Sequence, residues 1–183
     1  MEKDLQRKND CLKIVLFGPE SSGKTTLAKS LAAYYNTEWV PEFAREYLQN
    51  KWEKYRKVCQ REDLPTIVSG QLRLEDQKIS QAKKYLFCDT NILVTRIWSE
   101  TYFDGYCDPE ILKLSKDLKY DYYLLTSIDV PWKKDDLRDR PNHRKNMFNY
   151  FQETLDREKT PYSIIKGSYK ERLFNAVQIL NDL

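Results

Sequence analysis

Directly after the apolar run Ile14-Val15-Leu16-Phe17, the chain places Gly18-Pro19-Glu20-Ser21-Ser22-Gly23-Lys24-Thr25, a Gly-x4-Gly-Lys-Thr pattern. That spacing suits a nucleoside triphosphate. A polyphosphate must be wrapped by backbone N–H groups, and Gly18 and Gly23 let the main chain come close enough to do so. Lys24 is spaced to reach the β- and γ-phosphates, and the Thr25 hydroxyl to ligate the magnesium ion that bridges them. Apolar residues at helical spacing follow from Lys24 to Tyr35, so the N-terminus of a helix would face the same phosphates. The strand before and the helix after separate this motif from a chance glycine-bearing turn. The expected ATP-contacting set is Gly18, Glu20, Ser21, Ser22, Gly23, Lys24, Thr25 and Thr26.

Carboxylates recur where such a site needs them. Asp89 closes the apolar run Tyr85-Leu86-Phe87-Cys88 and falls at the carboxyl edge of the expected sheet, where a second magnesium-organising group belongs. Its alternative role is to cap the helix that begins near Asn91. Glu42, Arg45 and Glu46 come directly after the second strand, beside the phosphate loop. Glu42 is a candidate base for an acceptor hydroxyl, and Arg45, one helical turn on, a candidate to hold phosphate or ribose. The alternative is an ordinary charged first turn, in which a glutamate is favoured by the helix dipole.

Between Val130 and Lys145 the sequence turns polar, with Pro131 and Pro141 and seven charged side chains from Lys133 to Arg140. A lid over about 131–145 is expected. Its Arg138, Arg140 and Arg144 are candidate cations for a transferring phosphate, against the alternative of a solvated loop whose charges neutralise one another. Arg138 is assigned to catalysis and Arg140 to the nucleotide. Trp98, Tyr102, Tyr106 and Trp132 flank helix ends and the lid; each is a candidate to stack on a base or simply to pack in the core. His143 reads as a surface residue.

The elements that must position these groups are legible from periodicity. Strands are expected at Lys13–Phe17, Thr37–Val40, Tyr85–Cys88, Tyr122–Leu125 and Tyr162–Ile165. Helices are expected at Lys24–Tyr35, Phe43–Lys57, Ser69–Lys84, Ile92–Tyr102, Pro109–Leu118, Asn146–Glu158 and Tyr169–Leu180. This alternation implies a three-layer α/β domain with a mainly parallel five-stranded sheet covered by helices on both faces.

A chain of 183 residues fits one domain, expected over 12–183 after a flexible tail at 1–11. Its 31 basic and 28 acidic residues are interspersed and sum to +3, so no field is built to gather nucleic acid or lipid. Neither a membrane span nor a signal peptide is apparent, and a cytoplasmic protein is expected. The four cysteines are scattered without a Cys-x2-Cys pair and there is one histidine, so no zinc site or disulfide framework is readable.

Taken together, Glu20-Ser21-Ser22-Gly23-Lys24-Thr25, Glu42 with Arg45-Glu46, Gly70 ahead of a Gln- and Arg-bearing helix, Asp89-Thr90, Trp132 with Asp136-Leu137-Arg138, and Pro161-Tyr162 leading into Ser168-Tyr169 resemble the ribosylnicotinamide kinase domain of NadR-type proteins, within the AAA-like P-loop kinases. The similarity runs from about Leu12 to the C-terminus. It implies the P-loop kinase fold and transfer of the γ-phosphate of ATP, with magnesium, to the 5′-hydroxyl of nicotinamide riboside. Lys24, Glu42, Asp89 and Arg138 would then carry the chemistry, Thr25 and Asp89 would hold the metal, and Glu42, Phe43, Arg45 and Trp132 would hold the nucleoside. NadR proteins commonly add an adenylyltransferase domain with a His-x-Gly-His motif, and some a DNA-binding helix pair; with His143 alone and some ten spare residues in the tail, neither activity is expected here. Family members carry an aromatic residue immediately before the glutamate, thought to stack on nicotinamide. Here Pro41 stands in that place and Phe43 is its candidate substitute. The alternative reading is a regulatory NTPase whose hydrolysis switches a binding surface without a small acceptor. A nucleic-acid-dependent ATPase would call for a basic patch or further motor motifs, neither of which is found.

Overall fold

The computed structural model describes residues 11–138 and 141–183. The expected tail, save Cys11, and the candidate Arg140 lie outside the described residues. Five strands form one sheet: β1 (Leu12–Phe17), β2 (Trp39–Val40), β3 (Tyr85–Asp89), β4 (Tyr122–Thr126) and β5 (Tyr162–Ile165). Their order is β2-β3-β1-β4-β5 and every pairing is parallel. Seven α-helices are described: α1 (Lys24–Tyr35), α2 (Phe43–Tyr55), α3 (Leu64–Ile79), α4 (Ile92–Tyr102), α5 (Pro109–Asp117), α6 (Arg144–Arg157) and α7 (Tyr169–Asn181). The largest departure from the expected boundaries is α3, which starts five residues before Ser69, with Pro65 in its first turn where a missing N–H costs nothing.

The period-two alternation of β1 divides the core. Ile14 and Leu16 face one side, with Leu27 and Leu31 of α1 and Ala176 and Leu180 of α7. Val15 and Phe17 face the other, with Leu93 and Ile97 of α4 and Phe151 and Leu155 of α6. Because both faces of β1 are covered, all four of these strand residues are fully buried, and the strand reads as a continuous apolar run. A smaller cluster of Leu64, Val68, Ile92 and Ile111 joins α3, α4 and α5.

Two register facts position the chemistry. Leu16 of β1 pairs with Asp89 of β3, and Phe17 pairs with Leu125 of β4, so the exits of three strands converge on one edge. Central β1 is also where the chain first crosses to one side of the sheet and later to the other, leaving a crevice at its carboxyl end.

Local capping completes the framework. Asp108 accepts from the N–H groups of Glu110 and Ile111 at the start of α5, with Pro109 at its first position. Asn91 caps α4 by accepting from Val94, so Asp89 is spared that duty and ends its strand. Ser168 and Glu171 form a reciprocal capping box on α7. α2 has no side-chain cap of its own; instead Gln71 of α3 accepts from the Phe43 N–H at 3.0 Å.

The contact of α2 with α3 depends on Gly70. A Cβ there would stand 2.3 Å from the Phe43 ring. Gly70→Ala gains about 1 kcal/mol in helix propensity, but overpacking against the ring costs about 1–3 kcal/mol. Net loss of stability is expected, read as a lower urea midpoint at unchanged slope.

Candidate active site

The phosphate loop leaves β1 through Gly18, whose φ is +131° and whose Cβ, if present, would meet the Thr126 carbonyl and hydroxyl oxygens at 2.9 Å. Only glycine fits that approach. Gly23 closes the loop at φ +89° and passes the chain into α1. Beneath the loop the Ser22 hydroxyl donates to the Pro19 carbonyl at 2.7 Å and bonds the Thr126 hydroxyl at 2.6 Å. The side chain of Ser22 is therefore part of the loop's foundation, and Gly18 lies below the cradle, outside the cavity lining. Lys24 Nζ donates to the Gly18 and Pro19 carbonyls at 3.0 and 2.8 Å.

Above the loop opens a cavity of about 900 Å³. Glu20, Ser21, Gly23, Lys24, Thr25 and Thr26 form its floor, and Glu42, Arg45, Asp89 and Arg138 line the part next to it. Thr25 donates a short hydrogen bond to Asp89 Oδ2, while Asp89 Oδ1 is buried without a hydrogen-bond partner. A carboxylate that is 1% exposed, with one oxygen unsatisfied beside a threonine hydroxyl, has the donor set that a hard divalent cation takes. Residues Thr25 and Asp89 thus fit magnesium.

Electrostatics couple the groups. Burial, then the Asp89 charge, push the Glu42 carboxyl above its ordinary value; burial likewise raises Asp89, opposed by Lys24 and Thr25. Burial lowers Lys24, although Glu42, Asp89 and Glu20 all favour its charge.

The described part of the expected lid, from Pro131 to Arg138, contributes to the lining of this cavity. Arg45 makes a two-pronged pair with Asp135, at 3.1 and 2.9 Å. Asp135 also accepts from the backbone of Leu137 and Arg138 and lies 3.2 Å from Arg138 Nε. Burial works against its charge, but the Arg45 hydrogen bonds hold the Asp135 carboxyl below its ordinary value. Gln49 of α2 reaches Asp136 at 3.1 Å, and the Lys133 N–H reaches the Ser21 hydroxyl at 2.8 Å.

Some expected residues stand elsewhere. Phe43 does not line the cavity: its ring is turned against Gly70 and stacks with Tyr47 at 6.0 Å. Trp132 is not in the lining either, because the Arg144 guanidinium lies over its ring at 5.7 Å. Arg144 itself is spent on the Val130 and Ser21 carbonyls at 2.9 and 3.0 Å. The far wall of the cavity is aromatic through Trp98, Tyr102 and Phe103, at the C-terminal end of α4, with Pro41 on the opposite strand exit. Tyr106, by contrast, packs under Arg61, 4.4 Å from its ring centroid. Asp135, Phe103 and Arg172 carry no local motif, and only their distant neighbours reveal them.

Residues 13–172 match the model of a family described as an AAA domain. This chain belongs to the AAA domain family. It is 26% identical over 173 residues to the trifunctional NAD biosynthesis/regulator protein NadR of Escherichia coli (strain K12), and 27% identical to that of Salmonella typhimurium. Each alignment covers 93% of this chain and 42% of the relative, so the chain spans less than half the length of these proteins. Among solved structures, NadR in complex with NR superposes at a TM-score of 0.80 with 20% identity, covering 98% of this chain and 52% of that one. A deoxyadenosine kinase from M. mycoides superposes at 0.65 with 14% identity, covering 94% and 100%. The P-loop kinase fold is shared with both. Among the described residues no helix is long and apolar enough to cross a membrane.

The raised carboxyls of Glu42 and Asp89 make a stability prediction. A folded-state pKa above the unfolded value stabilises the fold below the ordinary carboxylate pKa, and that contribution is lost as pH rises toward the folded value. Ionising either carboxyl in the folded state is therefore a cost, offset in part by Lys24, Arg45 and Arg138. Asp89→Asn without ligand is expected to raise the melting temperature at pH 7.5 by about 2–4 °C, with the gain shrinking as pH falls toward the ordinary carboxylate value of about 4 and absent below it, as read by calorimetry.

Proposed function

We propose that this protein is an ATP-dependent kinase that phosphorylates the 5′-hydroxyl of a nucleoside, nicotinamide riboside being the acceptor the cavity suits best. The observation that carries the reading is a single cavity of about 900 Å³ lined both by Lys24, Glu42 and Asp89 and by Trp98, Tyr102 and Phe103. A nucleotide switch needs the phosphate cradle alone; a phosphotransferase needs an acceptor room that opens onto it.

In this reading the loop from Glu20 to Thr26 holds the triphosphate. Lys24 exchanges its two carbonyl partners for β- and γ-phosphate oxygens. Thr25 and Asp89 would hold magnesium, which supplies charge neutralisation between those phosphates. Glu42 receives the proton of the acceptor hydroxyl as its oxygen bonds to the γ-phosphorus and the bond to the bridging oxygen breaks, releasing ADP. A raised pKa makes Glu42 a stronger proton acceptor than an ordinary carboxylate. Arg138, lining the cavity from the lid, counters charge on the transferring group, and Arg45 with Asp135 keeps the lid over it and excludes water.

Nicotinamide riboside carries a positive ring. Trp98, Tyr102 and Phe103 offer π-faces to it, and Glu42, Glu46 and Asp136 surround it with negative charge. Pro41 leaves the stacking to these residues of the opposite wall. The solved NadR complexes with NR, and with NAD and AMP-PNP, support the same pairing of ligands.

A nucleoside panel with ADP release as readout tests the assignment. Nicotinamide riboside is expected to raise ATP turnover well above the rate without acceptor, and uridine and adenosine to raise it less; slow hydrolysis indifferent to every nucleoside would favour the switch. Glu42→Gln should lower kcat by about 10²–10⁴-fold with ATP affinity kept, and Lys24→Ala should abolish transfer while the fold is retained. A pure affinity loss in the glutamine variant would assign Glu42 to binding instead.

A further inference from the structure

The geometry points to Arg172, assisted by Arg144, as the residue that positions the phosphate cradle by drawing its carbonyl oxygens away from the ligand. The inference rests on the nucleotide-binding reading above and concerns how the loop is held ready for it.

Arg172 belongs to the first turn of α7, is 4% exposed, and lies 150 residues from the loop. Its guanidinium donates to three backbone carbonyls: Ser22 at 2.6 Å, Ser127 at 3.0 Å and Gly167 at 3.0 Å. It also makes a short ion pair with Asp129, whose other oxygen accepts from the Gly167 N–H at 2.6 Å. One buried side chain thus joins the phosphate loop to the exits of β4 and β5. Arg144 makes the matching bond one peptide earlier, to the Ser21 carbonyl at 3.0 Å, and ties it to Val130 at the root of the lid.

A trans peptide is planar, so its C=O and the N–H that follows point to opposite sides. Fixing the Ser21 carbonyl therefore fixes the Ser22 N–H, and fixing the Ser22 carbonyl fixes the Gly23 N–H. Both carbonyls are turned onto guanidinium groups, leaving both donors for the cradle. A loop left to itself would lose this arrangement, because Gly23 carries no side chain to restrict it and its φ of +89° is freely exchanged for others. Nor could a substitute at Gly23 take over, since its Cβ would stand 3.2 Å from Arg172 Nη1. The arrangement is preorganisation: the donors are aimed before the anion arrives.

Arg172→Lys keeps a cation beside Asp129 but cannot reach three carbonyls at once. Titration calorimetry of the whole chain with Mg·ATP and with inorganic tripolyphosphate reads the effect, and thermal melting shows whether the variant is folded. Both probes are expected to bind about ten- to hundredfold more weakly, and KM for ATP to rise while KM for the acceptor nucleoside stays within about twofold. A folded variant that binds both probes as the wild type does, or that raises the two KM values equally, overturns the positioning role. Should Arg172→Lys not fold, Arg144→Lys is read in its place: weaker tripolyphosphate binding supports the inference and unchanged binding overturns it. Absence of Mg·ATP binding by the wild type would instead overturn the nucleotide reading, a result distinct from equal binding by wild type and variant.

Discussion

A loop that offers its N–H groups to an anion must dispose of its carbonyls somewhere else, and much of this molecule's geometry at the sheet edge answers that requirement. The Gly18 and Pro19 carbonyls are taken by Lys24, and Pro19 also by the buried Ser22 hydroxyl; those of Ser21 and Ser22 are taken by Arg144 and Arg172. Each partner comes from a different depth of the fold, from α1, from the loop itself, from α6 and from α7. The cradle is consequently an assembly of the tertiary structure more than a local turn. Its strongest local requirement is Gly18, pressed against Thr126.

The same edge concentrates charge that folding alone would not choose. Glu42, Asp89 and Lys24 share one cavity, and burial shifts all three against ionisation. Asp89 keeps an unsatisfied buried oxygen. Such a cluster lowers stability and is tolerated where a ligand of complementary charge completes it. The rest of the domain offsets that cost with a continuous apolar sheet covered on both faces.

The segment after β4 is likewise tied to α2 by charge. The two-pronged pair of Arg45 with Asp135 joins the first turn of α2 to the lid, and Asp135 in turn orients the backbone of Arg138. Arg45 and Arg138 thus share one carboxylate.

Local rules in the sequence were enough for the phosphate loop, the alternation of strands and helices, and the edge positions of Glu42 and Asp89. Each depends on neighbours a few residues away: the period of apolar residues, the spacing of glycines, the end of a strand. Side-chain direction was another matter. Phe43 was expected beside the nucleoside, but the bare backbone of Gly70 on α3 offers its ring a closer berth. Trp132 was expected there too, and Arg144 covers it. Of the aromatic candidates near helix ends, Trp98 and Tyr102 do line the cavity, joined by Phe103, which no local signal marked. Arg172 stood unremarked in a helical pattern because its partners are Ser22, Ser127 and Asp129, brought near only when β1, β4 and β5 align. What the chain's order of residues decided is which elements form and which chemistry-bearing groups reach the carboxyl edge; what tertiary packing alone decided is which of those groups turn into the cavity, since that depends on contacts between residues far apart along the backbone.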